Sequence, residues 1–254
     1  MYQKVFISNH IIEIKEYSNL NLTPGSYQGE KAPPGTSLDY LDNYEKTCQL
    51  RRDNIRRLVV INFNKKSKFI TFTFKDTKSF DIKNPKECNH EWEKFMKRLK
   101  RLYPKIKYIS VLEFQDKNDR GAVHYHMICD LPFIKKSILE KLWGLGFIKI
   151  NAIDKVDNIG AYVIAYATKE NIDERLQGIK AYNCSKGLER PIEVKSWHSG
   201  SSKLLEEVLE LIKNKKPVFQ SNYHVAINNG SPDSNDLNIQ VGYSQFNLNR
   251  KTEN

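Results

Sequence analysis

Alternating apolar and polar positions predict strands near the start of the chain and through its middle. β-branched and aromatic runs of strand length occur at residues 1–19 (a weak pattern), 58–63, 68–76, 107–114, 122–131 and 147–153. Phe69, Thr71 and Thr73 share one face of their strand, because side chains alternate along a strand. A polar turn separates 107–114 from 122–131, so these two runs are predicted to form an antiparallel hairpin.

A helical period of apolar residues predicts five helices among and after these strands. They are expected at residues 38–56, 84–104, 134–143, 155–171 and 201–214. The second has the clearest ends. Asn84 can cap it, Pro85 suits its first turn, Glu87 completes a capping box and Pro104 ends it. Hairpins interrupted by helices predict an α+β fold, with helices covering a mostly antiparallel sheet.

Composition divides the chain into three predicted parts. Residues 1–37 are expected to be an N-terminal extension and linker, residues 38–214 the folded domain, and residues 215–254 a polar, flexible tail. No apolar run is long enough for a membrane span, and the N-terminus lacks a secretory pattern. The four cysteines are scattered without C-x-x-C spacing, which indicates reduced thiols in a cytoplasmic protein.

Positive charge is concentrated in one part of the chain. The net charge is +11, and residues 51–107 contain eighteen Lys and Arg against six Asp and Glu. Such a concentration predicts a polyanion partner, most often nucleic acid, although a solvated basic surface has the same composition. The cations expected to contact phosphates are Arg51, Arg52, Arg56, Arg57, Lys65, Lys66 and Lys68.

Two of the six histidines lie one residue apart in the apolar run GAVHYHMI. His124 and His126 project to the same side of their strand, which suits two ligands of one metal ion. The hairpin can bring Glu113 onto that face, and this donor set suits Mg²⁺, Mn²⁺ or Zn²⁺. A bare His-x-His pair is also compatible with two hydrogen-bonded structural histidines, so this alternative stays open.

A second candidate feature is GAYVIAYATKE, at residues 160–170. Tyr162 and Tyr166 are four residues apart, so a helix places both rings on one face, and Lys169 continues that face. A tyrosine phenol becomes a nucleophile when its target is polarised, and a metal ion on a phosphodiester does this. A nearby lysine can neutralise the developing charge. The alternative is an aromatic pair that only packs in the core.

Three ordered motifs resemble those of the HUH endonucleases, specifically the rolling-circle replication initiators of bacterial plasmids and single-stranded DNA phages. They are FITFTFKD (69–76), HYH (124–126) and YVIAYATK (162–169). The resemblance covers about residues 55–190 and includes the Arg-Gly that precedes HYH. It implies a ferredoxin-like fold, Mg²⁺ or Mn²⁺ as cofactor, and nicking of single-stranded or hairpin origin DNA.

By position, the resemblance assigns roles to individual residues. The implied metal ligands are His124, His126 and Glu113. Tyr166 is the implied nucleophile, with Lys169 beside it. Tyr162 matches the second nucleophile of the two-tyrosine type, but Ala165 stands where that type tends to carry a lysine, so Tyr162 is either auxiliary or packed.

Other functions compatible with these motifs are a two-tyrosine transposase and a non-catalytic DNA-binding repressor. The transposase usually carries a zinc-binding module, for which this chain has no suitable cysteine cluster. The chain also lacks the G-x-x-x-x-G-K-[ST] motif of a fused helicase, so strand separation is expected to need a host helicase.

Overall fold

The computed structural model describes residues 2–18, 37–116, 120–156, 158–167, 174–176, 178–180, 182–196, 203–227 and 237–250; within these it leaves undescribed the side chains of residues 37–47, 166, 167, 174, 225–227, 237 and 238. The helices are α1 (Ser37–Asn62), α2 (Pro85–Leu102), α3 (Lys136–Trp143), α4 (Ile159–Ala167) and α5 (Lys203–Ile212). The strands are β1 (Tyr2–Ser8), β2 (Ile11–Tyr17), β3 (Lys68–Thr73), β4 (Tyr108–Gln115), β5 (Ala122–Cys129), β6 (Ile148–Ala152), β7 (Tyr182–Cys184), β8 (Ile192–Ser196), β9 (Phe219–Ile227) and β10 (Leu237–Asn247). A short 3-10 helix, Glu174–Leu176, follows α4.

The chain divides into two compact units. The terminal unit combines Met1–Ser37 with Arg190–Asn254, and the central unit is Leu38–Glu189. The predicted limit after residue 37 coincides with this division. The limit predicted at residue 214 does not, because the C-terminal residues form β9 and β10 and join the N-terminal strands. A uniformly flexible tail at 215–254 is therefore wrong for its described part.

The terminal unit contains one antiparallel sheet in the order β8-β1-β2-β10-β9. Strand β2 pairs with β10, so that Ile12 lies opposite Phe246. Helix α5 contributes Leu205, Val208 and Ile212 to a core shared with these strands. The weak N-terminal strand pattern thus becomes stable strands because a distant segment pairs with it and a helix covers one face.

The central unit contains the second sheet, in the order β6-β3-β5-β4-β7, with every neighbouring pair antiparallel. The predicted hairpin is confirmed, since β4 pairs with β5. Strand β5 lies at the centre, and all eight of its residues are buried. Two antiparallel sheets with five helices among the described residues confirm the predicted α+β class and are consistent with a ferredoxin-like fold.

Helices cover both faces of the central sheet. On one face Phe72, Tyr125 and Met127 pack with Trp92 of α2 and Trp143 of α3. The rings of Trp92 and Tyr125 are stacked, with centroids 4.2 Å apart and planes 9° apart. The helical period predicted for α2 is what presents Trp92 to this core.

The opposite face of the central sheet packs against α1 and α4. Phe69, Ile109 and Ile128 share a core there with Leu58 of α1 and Val163 of α4. Each sheet face therefore has its own apolar core, and the face under α1 and α4 carries the chemistry described below.

The ends of α2 agree with the prediction from sequence. Asn84 Oδ1 accepts the backbone N–H of Lys86 at 3.0 Å, and Pro85 occupies the first turn. The Glu87 carboxylate accepts the Asn84 side-chain amide at 2.9 Å and the Asp81 backbone N–H at 2.8 Å. Glu87 thus closes the start of the helix through the Asn84 side chain and the preceding loop.

One predicted strand is wrong. LVVINF at 58–63 was expected to be a strand, yet Leu58–Asn62 forms the last turns of α1. In helical geometry Ile55, Leu58, Val59 and Phe63 lie on one side, and all four are buried in the core under α1. Burial against the sheet therefore outweighs the β propensity of Val and Ile. Separately, among the described residues no helix is both long and apolar enough to cross a membrane.

Candidate active site

The register of the central sheet brings the predicted site residues onto one face. His124 lies opposite Glu113 on β4 and opposite Thr73 on β3, and His126 lies opposite Thr71. Directly paired residues in antiparallel strands point to the same side. We call these five residues, Thr71, Thr73, Glu113, His124 and His126, the site face. The expectation that the hairpin brings Glu113 to the histidines is confirmed.

His126 is held by three neighbours. Its Nε2 lies 2.5 Å from Oε2 of Glu113, and its Nδ1 lies 3.1 Å from the hydroxyl of Thr71. The Phe69 ring stacks on the imidazole at 5.7 Å between centroids and 9° between planes. An ionised carboxylate only accepts, so Nε2 carries the proton and Nδ1 accepts from Thr71. The bond to Glu113 is diagonal, because the direct cross-strand partner of Glu113 is His124.

His124 has a different environment. Its side chain is buried, and its Nε2 has no hydrogen-bond partner. Burial lowers its pKa to about 4, with the positive charges of His126 and Arg120 acting in the same direction and Glu113 opposing them. The imidazole is therefore neutral at pH 7, with an uncommitted buried nitrogen, which is the protonation state that a metal ligand requires.

The donor types of the site face suit a divalent metal ion. Two imidazoles and one carboxylate can ligate Mn²⁺ or Zn²⁺, and Mg²⁺ where water or phosphate oxygens complete the shell. The buried, uncommitted Nε2 of His124 fits such a role. In the described part of the chain no three His, Cys, Asp or Glu side chains are arranged around a common metal position, because Glu113 is hydrogen-bonded to His126 itself. Ligation would require this hydrogen bond to open.

The tyrosine helix α4 lies against the same sheet face. The Tyr162 ring meets Phe69 edge-on, with centroids 5.1 Å apart and planes at 74°. Phe69 in turn stacks on His126, so Tyr162 is one ring removed from the site face. Tyr166 follows one turn later on α4 and its side chain is outside the described residues, as is all of Lys169.

Close helix packing places α4. A Cβ added at Gly160 would lie 2.8 Å from the carbonyl oxygen of Arg56 on α1 and 2.8 Å from Cγ2 of Val60. Only a residue without a side chain allows this approach. Gly160 therefore sets how near the tyrosine helix comes to α1.

The residues predicted to contact phosphates differ in availability. Lys65 and Lys66 are exposed in the loop after α1, and Arg51 and Arg52 are half-buried. By contrast Arg56 and Arg57 pair with Asp53, at 3.3 and 3.8 Å, and the Lys68 ammonium donates to the Leu131 carbonyl. DNA contact by this set stays a prediction, and the exposed side chains favour Lys65 and Lys66.

Two contributors to the site were not identified from sequence as functional. Thr71 was expected only to line the sheet, yet its hydroxyl bonds His126. Arg120 reaches back across the hairpin to donate to the Phe74 carbonyl at 2.7 Å and to Gln115 Oε1 at 3.3 Å. Strand alternation signals Thr71 once the register is known. No local pattern signals the contacts of Arg120.

Comparison with known proteins identifies one family model. Residues 67–171 match a model of the replication-associated protein family that includes the ORF2 proteins. The match spans under half of the chain and extends from β3 through α4, so it contains the site face and both tyrosines of α4. It supports a Rep-like replication initiator, which implies DNA binding and suggests nuclease activity in general terms. A search of curated proteins and a search of solved structures found no significant match.

Proposed function

We propose that this protein initiates rolling-circle replication by nicking one strand of single-stranded or hairpin origin DNA through a tyrosine of α4. The observation that carries the proposal is the convergence of Glu113, His124 and His126 on one sheet face, with α4 packed beside it. Family similarity at 67–171 supports the replication role.

In the proposed site, His124, His126 and Glu113 hold the divalent cation, Mg²⁺ or Mn²⁺. When bound, such an ion supplies Lewis-acid polarisation of the scissile phosphate. Thr71 orients His126 in either protonation state, because a hydroxyl both donates and accepts. The stacked Phe69 ring restricts the imidazole plane further. These neighbours keep the ligand in place before DNA arrives.

Tyr166 is the proposed nucleophile. Its phenolic oxygen bonds to phosphorus, the P–O3′ bond breaks, and the phenolic proton leaves as the 3′-oxygen gains one. The products are a 5′-phosphotyrosine link and a free 3′-hydroxyl, and the reverse reaction rejoins the strand. Lys169 is proposed to neutralise charge on the phosphate. Tyr162 is proposed as the second tyrosine of a two-tyrosine enzyme, although its ring contacts Phe69.

The test is covalent adduct formation on origin-like single-stranded oligonucleotides with Mn²⁺, resolved on a denaturing gel. Wild type is expected to form an adduct, and Tyr166→Phe to form none. Tyr162→Phe is expected to support the first nick but to lose a second transfer. Tyr182→Phe is the matched control, because Tyr182 lies on β7 opposite Val111 and only accepts a 3.4 Å hydrogen bond from Asn54.

Three outcomes would contradict parts of the proposal. An adduct with Tyr166→Phe would exclude that nucleophile. Loss of the adduct with Tyr182→Phe would show that any tyrosine near the sheet matters, so the assignment to α4 would fail. A wild-type protein that binds DNA, but binds no Mn²⁺ and forms no adduct, would be a DNA-binding repressor.

The remaining proposals concern partners and location. We propose that a host helicase separates the strands, and that the protein acts in the cytoplasm of a bacterial cell. Co-purification of a helicase with the tagged protein from cells carrying the replicon would support the first proposal. Replication of that replicon by the purified protein without a helicase would exclude it.

A further inference from the structure

A groove opens at the end of the site face. Its cavity is about 700 Å³, and its wall includes Asp76, Phe80, Lys83, Gln115 and Arg120. A smaller cavity of about 450 Å³ shares Lys83. The larger volume lies within the range of small-ligand sites in proteins.

Arg120 is fixed in the wall of the groove. One end of its guanidinium donates to the Phe74 carbonyl at 2.7 Å, and the other donates to Gln115 Oε1 at 3.3 Å. A guanidinium has five N–H donors, so most of its donors remain for a ligand. Two anchoring bonds remove much of the entropy cost of orienting the side chain, which suits recognition of a fixed anion.

Lys83 adds a second cation to the same groove. Its side chain is exposed, and its ammonium has no hydrogen bond or ion pair within the described residues. The acidic groups nearby are not paired with it. Asp81 Oδ1 accepts the backbone N–H of Lys83 at 2.9 Å, which uses this carboxylate in the loop. The ammonium therefore remains available to an anion entering the groove.

The groove is adjacent to the proposed nicking site. Gln115 lies two residues beyond Glu113 on the same face of β4, which is about 7 Å along the strand. The charge of Arg120 also contributes to the lowered pKa of His124, which places the guanidinium near that imidazole. A ligand bound by Arg120 would thus lie beside the site face.

We propose that this groove binds the nucleotide next to the scissile phosphate, with its phosphate held by Arg120 and Lys83. The inference rests on the proposed function for its ligand, single-stranded DNA. The half-buried ring of Phe80 offers an apolar wall to a base, and Asp76 offers an acceptor to an exocyclic amino group. This mixture of cations, an aromatic ring and a carboxylate matches a nucleotide better than a bare anion.

The test measures binding of a short fluorescent oligodeoxyadenylate by anisotropy over a range of salt concentrations. Each phosphate contact contributes about 0.7 to the slope of log affinity against log salt for a single strand. Arg120→Gln and Lys83→Gln are each expected to reduce the slope by about this amount. Arg120→Lys should restore most of it, because the positive charge returns.

Lys97→Gln is the matched control, since Lys97 is an exposed lysine on α2, the helix that covers the other sheet face. It should leave the slope unchanged. Slopes in Arg120→Gln and Lys83→Gln equal to wild type would overturn the groove proposal, as would an equal decrease in Lys97→Gln. Unfolding midpoints are compared, so that a folding defect in Arg120→Gln is recognised and Lys83→Gln then decides.

Failure of the groove proposal is distinguishable from failure of the proposed function. If wild type forms the covalent adduct while both groove variants keep the wild-type slope, only the groove proposal fails. If wild type forms no adduct but the slopes change as expected, the groove binds single-stranded DNA and the nicking reaction is excluded.

Discussion

The uncharged state of buried His124 should make the stability of the fold depend on pH. Burial lowers the pKa of this histidine from 6.5 to about 4. Between those values the unfolded chain takes up a proton that the folded chain does not. Stability is therefore complete above pH 6.5 and is lost as the pH falls towards 4.

The size of this effect follows from the shift. At 1.36 kcal/mol per pKa unit, the full loss is about 3 kcal/mol, and about 2 kcal/mol of it should be lost by pH 5. The measurement is urea denaturation at pH 7.5 and pH 5, in the presence of a chelator, for wild type and for His124→Gln. The variant lacks the titrating group, so its stability should fall by about 2 kcal/mol less than that of wild type.

Comparing the two proteins removes the contribution of other titrating groups that behave alike in both. An equal loss of stability in wild type and variant would refute the reasoning. A direct check is an NMR titration of the His124 ring, with the variant identifying its resonance. A measured pKa near 6.5 would show that the buried imidazole is solvated and would remove the argument that it is preset as a metal ligand.

Three further predictions concern the central unit, each measured by urea denaturation. Gly146→Ala should destabilise by about 3 kcal/mol or more, because its Cβ would lie 2.1 Å from the carbonyl oxygen of Thr73; a smaller loss would mean that the backbone moves readily. Asn84→Ala should cost about 1 kcal/mol through loss of the α2 cap, and no change would contradict the cap. Arg175→Ala should cost more than Asp116→Asn, which removes only an exposed ion pair worth less than about 1 kcal/mol, because the guanidinium also stacks 3.8 Å from an aromatic ring centroid; equal costs would contradict a contribution from stacking.

The site shows where reasoning from sequence ends. Strand alternation placed His124 and His126 on one side, and the polar turn implied that Glu113 could reach them, which the register confirms. The diagonal bond from Glu113 to His126 depends on side-chain rotamers in the folded sheet. The groove position of Arg120 likewise depends on the Phe74 carbonyl, which is brought close only by the pairing of β3 with β5.

By itself the sequence determined the features that depend on neighbouring residues. These are the capped helix α2, the hairpin of β4 and β5, and the two faces of β3, because periodicity and capping act within a few residues. Tertiary structure decided the rest. Residues 58–62 became helix because their apolar side meets the sheet, and β10 joined β2 across more than two hundred residues of chain. Burial and backbone hydrogen bonds between distant segments have no local sequence signature, and they set which segments become strands.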